Sequence, residues 1–124
     1  MAIYHVTSNW TASLVEGCNV TLKASQPLMK GALNGVYFAP RPLLHYAGGE
    51  RNCKYWIEDI FLYISVFVIE GEFPIQMNSQ EEEEIFFPSD LELEISRIEV
   101  VHKEIGRAWW KHSREIRYFY CSIK

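Results

Sequence analysis

Between Trp56 and Ile69 the chain is dense in Ile, Val, Phe and Tyr, and no Gly or Pro interrupts it before Gly71. Branched and aromatic side chains fit a pleated surface better than a crowded helical turn, so this run predicts the central strand of a core. Its most apolar part, Ile60 to Ile69, is about ten residues long with Ser65 inside it, whereas a bilayer-spanning helix needs roughly twenty. The run is therefore read as a buried strand and not as an anchor. Covering it takes apolar mass, and 124 residues with 48% hydrophobic and 15% aromatic content suffice for one packed domain, residues 1–124.

Around that strand the chain reads as short elements. Ala2 to Thr7 predicts a strand; Trp10, Leu14 and Val15 share a helical face, with Ser8 or Asn9 as N-cap and Gly17 as the stop. Residues 18–33, with Pro27 and Gly31 and no period, predict a loop. Asn34-Gly35 leads into a strand at Val36 to Ala39, which Pro40 and Pro42 end, and Pro42 to Ala47 suggests a helical turn before Gly48-Gly49. Glu81 to Glu84 run directly into Ile85-Phe86-Phe87, and Pro88-Ser89-Asp90 marks a turn. Leu91 to Val101 alternates as a strand with a break near Ser96; Glu104 to His112 predicts a helix, and Glu115 to Ser122 a last strand. The expected class is α+β, with two small mixed or antiparallel sheets and few short helices.

Charge and cysteine content narrow the function classes. The net charge is −4, yet six of the 12 Lys and Arg fall in the last 24 residues, opposed there only by Glu104 and Glu115. The tail is basic on an acidic body. Cys18, Cys53 and Cys121 are too few and too scattered for a disulfide framework, and none forms a C-x-x-C pair, so neither a zinc site nor any other metal is implied. Met1 to His5 lacks the basic and apolar regions of a secretory signal, so a cytoplasmic location is expected and no membrane partner.

Three segments in order carry the chemical reading: Tyr4-His5-Val6-Thr7, then Leu33-Asn34-Gly35-Val36-Tyr37-Phe38-Ala39, then Glu84-Ile85-Phe86-Phe87. Together they resemble the His-Tyr-Glu group of ADP-ribosyltransferases, which includes diphtheria-type toxins, poly(ADP-ribose) polymerases and short bacterial toxin domains. The resemblance spans roughly residues 3 to 101 and is most specific at residues 35 to 39. It implies an ADP-ribosyltransferase-like fold and NAD+ as substrate. It also implies mono-ADP-ribosyl transfer or NAD+ hydrolysis, as in a toxin or effector.

The residue types suit that reaction. Breaking the nicotinamide–ribose bond develops positive charge on the ribose, which a fixed carboxylate stabilises more in the transition state than in the ground state. The resemblance gives that role to Glu84. His5 would bond a ribose hydroxyl, Thr7 the nicotinamide amide, and Tyr37 would offer a ring to the cationic nicotinamide, a contact worth up to about 2 kcal/mol when desolvated. Tyr46 would supply the family's second tyrosine. Val6 stands where many members carry Gly and bring the backbone close to nicotinamide.

Each residue also has a structural reading: His5 as a backbone-bonded histidine, Tyr37 as a core tyrosine, the glutamates as a solvated run. Two rival functions stand beside the enzyme. One is an inactive NAD+-binding or partner-binding module, which Val6 suggests; the other is an RNA 2′-phosphotransferase-like enzyme, whose phosphate site would have to lie in the basic tail. The expected acceptor is a protein. The alternation of Lys111, Arg114 and Arg117 with Trp109, Trp110, Tyr118, Phe119 and Tyr120 makes nucleic acid an alternative acceptor, and a toxin role would bring a neutralising partner.

Overall fold

The computed structural model describes residues 1–7, 13–25, 33–42, 63–78, 81–107 and 110–124. These form eight strands: β1 (Ala2–Thr7), β2 (Asn19–Leu22), β3 (Val36–Phe38), β4 (Tyr63–Glu70), β5 (Gln76–Met77), β6 (Glu83–Phe87), β7 (Leu91–Arg107) and β8 (Trp110–Ile123). A five-stranded sheet runs β1-β4-β8-β7-β2, and a three-stranded sheet runs β3-β6-β5.

The expected α+β class is corrected: among the described residues there is strand and turn but no helix. Of Glu104 to His112, read as a helix, residues 104–107 lie in β7 and 110–112 in β8, where Glu104 pairs with Ser113 and Ile105 with His112, while 108–109 lie outside the described residues. Cross-strand pairing thus overrides a helical reading that rested on local composition. Residues 13–17 are irregular and end at Gly17, whose φ of 87° ends any helical path there. The rest of that first expected helix, residues 8–12, lies outside the described residues, as does 43–47 of the expected turn. β2 and β5 were not foreseen, since both are short and sit in segments with no clear period.

β4 accounts for residues 63–69 of the apolar run, while 56–62 lie outside the described residues. It pairs antiparallel with β1 and parallel with β8, and it is buried on both faces: Ile64, Val66 and Val68 on one, Phe67 and Ile69 on the other. A strand covered on both sides has no reason to alternate, which makes its sequence near-continuously apolar. β7 does alternate, with Leu91, Leu93 and Ile95 inward, until Ser96 is inserted as a bulge between the Ile95–Cys121 and Arg97–Tyr120 pairs. The bulge is the break expected near Ser96, and Ser96 Oγ donates to the Tyr120 carbonyl at 2.8 Å.

The five-stranded sheet curls around one core, in which Phe67 stacks on Phe119 at 5.0 Å and Val36, Phe38 and Ile85 of the small sheet pack against Ile3, Ile69 and Leu93. Five residues, Gly35 to Ala39, tie both edges of the curl. Gly35 exchanges backbone bonds with Ser25, just past β2, at 3.0 and 3.1 Å, and Ala39 exchanges bonds with Tyr4 of β1 at 2.8 and 2.9 Å. Gly35 is required there, because a Cβ would fall on the Phe86 ring and the Phe87 carbonyl. No helix among the described residues is long and apolar enough to cross a membrane.

Candidate functional site

Neighbouring residues of a strand send their backbone groups to opposite sides. Gly35 and Ala39 are bonded to the curled sheet, while Val36 and Phe38 face β6, so the Tyr37 carbonyl points into the interval between the two bridges. His5 fills it: Nδ1 lies 2.7 Å from that carbonyl oxygen. A carbonyl can only accept, so Nδ1 carries the proton and Nε2 of the neutral ring is an acceptor. Burial pushes the His5 pKa below its usual 6.5, against the opposing effect of the Tyr37 bond, which keeps the ring neutral at pH 7. Phe38 and Phe67 flank the ring at 5.4 and 6.5 Å.

The same alternation governs β1. Because the N–H and C=O of Tyr4 go to Ala39, those of Val6 point to the same side, past the end of the single Tyr4–Ala39 bridge. Strand alternation thus turns one backbone donor and one acceptor toward the β3 side of β1, next to His5.

Tyr37 and Glu84 lie on the other face of the small sheet. Tyr37 pairs with Phe86, their rings 5.0 Å apart, and Glu84, two residues earlier on β6, shares that face. The Tyr37 hydroxyl donates to the Leu33 carbonyl at 2.7 Å. Its pKa is raised, first by burial and then by the negative charge of Glu84. Glu84 pairs with Gln76 across β5–β6 and accepts from its side-chain amide at 3.3 Å.

The three expected catalytic residues therefore form a chain and not a cluster. His5 touches the Tyr37 main chain, and Tyr37 meets Glu84 through Phe86 and through charge. Thr7 ends β1, and Tyr46 lies outside the described residues.

Two features were missed in the sequence. At the Ala39 end of β3 a cleft of about 460 Å³ is lined by Ala39, Pro40, Arg41, Glu81, Glu82 and Glu83. Glu81 holds a left-handed φ of 60° there, fixed where Asn78 bonds Glu81 and Glu82. Second, register places Thr7, Ser65 and Arg117 in one row across β1, β4 and β8, one step beyond the row of His5, Phe67 and Phe119. Arg117 lies within 3.6 Å of Glu115. Only pairing of distant strands creates this row, so no local signal announced it. Comparison with protein-family models, with curated proteins and with solved structures returned no match.

Proposed function

We propose that the chain binds NAD+ beside the His5–Tyr37 bond and cleaves its nicotinamide–ribose bond, transferring ADP-ribose to a protein acceptor or to water. The observation that carries this reading is the His5–Tyr37 bond, which holds a neutral imidazole at the edge of β1 toward which strand alternation also turns the Val6 N–H and C=O. A carboxamide such as that of nicotinamide offers the complementary acceptor and donor. His5, held neutral with Nε2 as acceptor, suits a ribose hydroxyl. Arg117, in the row beyond His5, is the cation nearest in register for the diphosphate. Glu84, on Tyr37's face, is the carboxylate assigned to the developing ribose cation. The reaction would draw on NAD+ in the cytoplasm of the producing cell or of a cell that receives the protein.

One observation favours a binding module without turnover: Glu84 already accepts from Gln76, and the Tyr37 hydroxyl is committed to Leu33. Nicotinamide release by the purified protein, with and without cell lysate, separates the two. The enzyme reading expects release that falls at least a hundredfold in Glu84→Gln and little in Glu83→Gln, whose residue borders the neighbouring cleft. No release, with a melting temperature still raised by NAD+, selects the binding module; no release and no shift overturns both.

A further inference from the structure

We infer that the outer half of the β7–β8 hairpin is an arm that binds single-stranded nucleic acid through its phosphates. Among the described residues, β2 pairs with β7 at Leu91 to Glu94 and β4 pairs with β8 from Glu115 to Cys121. Beyond those limits, Lys103 to Arg107 and Trp110 to Arg114 pair with each other and, among the described residues, with no third strand. At about 3.4 Å per residue, the stretch from Lys103 to Arg107 extends roughly 14 Å. A two-stranded ribbon on its own is marginal in water, so fold stability alone does not account for its length.

The register sorts its charges. Lys103 stands directly opposite Arg114, Ile105 opposite His112, and Arg107 opposite Trp110, and alternation puts all six positions on one face. No acidic residue occurs among them. Like charges directly opposite one another destabilise a ribbon, and an anion between them removes that cost. On the other face His102 lies 3.5 Å from Glu115, and Arg117 lies 3.6 Å from it. Lys103 is exposed.

Charge complementarity identifies a polyanion. Four Lys and Arg face one Glu between Val101 and Arg114, in a chain whose net charge is −4, so the arm attracts what the remainder repels. Trp109 and Trp110 stand among these cations in the sequence. Bases offer tryptophan a stacking partner that an acidic peptide or a lipid headgroup lacks. The inference does not depend on NAD+ binding.

The test is fluorescence anisotropy of the full chain with a labelled mixed-sequence single-stranded oligonucleotide, RNA and DNA in separate arms, over a salt series. Binding should weaken as salt rises, and K103Q/R114Q should bind at least tenfold less tightly. Its log–log salt slope should be shallower by about 1.4, the release of two phosphates' counterions from a single strand. The variant's melting temperature should hold or rise, since a like-charge pair is removed, which separates lost binding from lost fold. Absence of binding at low salt, or equal binding by the variant, overturns the proposal. So does competition by polyglutamate as effective as by unlabelled oligonucleotide, or binding confined to phosphatidylserine vesicles.

Discussion

His5 donates its Nδ1 proton to the Tyr37 carbonyl at 2.7 Å, a side chain completing a ladder that the two backbones leave open between Tyr4–Ala39 and Ser25–Gly35. The residue assigned to chemistry is thus also a structural bond, and its two roles can be tested separately.

Replacing His5 by Phe keeps the volume between Phe38 and Phe67 but strands a carbonyl, at a cost of about 1–3 kcal/mol. Urea denaturation at pH 7.5 measures it, and an unchanged midpoint would show that the bond contributes nothing. The pH dependence follows from the lowered pKa. Below the unfolded value of 6.5 the unfolded chain takes up a proton that the native ring resists, so stability is full above that pH and falls toward the depressed native pKa. The melting temperature should decline in that window for wild type, and His5→Phe should lack that component.

Gly35→Ala should destabilise by about 1–3 kcal/mol, because the new methyl meets the Phe86 ring and the Phe87 carbonyl. Adding Phe86→Leu should recover part of the loss and not all, since the backbone oxygen remains. A double-mutant cycle with no coupling would contradict this packing.

Asp90 accepts from the Ala24 N–H at 2.7 Å and from Lys23 at 3.3 Å, and these bonds, the backbone one first, hold its pKa below the usual 3.8. Its contribution is present above pH 3.8 and lost as pH falls through the lower native value. Acid unfolding of Asp90→Asn should therefore be less steep below pH 4 than that of wild type, and a superimposable curve would refute the linkage.

Burial pushes the Cys121 thiol up to about 12, so almost no thiolate exists at pH 8. Iodoacetamide should label Cys121 slowly in the native protein and rapidly in urea, as read by peptide mass spectrometry. Equal rates would place the thiol at the surface.

The strands that could be read from sequence were those whose burial matches their own pattern: β1, β3, the run that contains β4, β7 with its bulge at Ser96, and the Glu115 to Ser122 part of β8. What local pattern could not reveal was pairing. Glu104 to Arg107 becomes strand through its partner Trp110 to Ser113, and Asn19 to Leu22 through Leu91 to Glu94. For the site, His5, Tyr37 and Glu84 were named from their motifs, but the motif could not disclose that His5 reaches the main chain of Tyr37. Nor could it disclose Arg117, brought into the row beyond His5 by the parallel pairing of β4 with β8.

The segment Gly35 to Ala39 holds both margins of the curled sheet, and its two ends differ in how much chain they close. Ser25 and Gly35 are near neighbours in sequence, whereas Tyr4 and Ala39 enclose a loop more than three times as long, whose closure costs more entropy. The Tyr4–Ala39 end should accordingly be the first to part in native-state opening. The amide hydrogens of Tyr4 and Ala39 should exchange with solvent together, ahead of that of Gly35. A molecule lodged beside Val6 would slow that exchange at both positions, so the seam reports occupancy whether or not turnover follows.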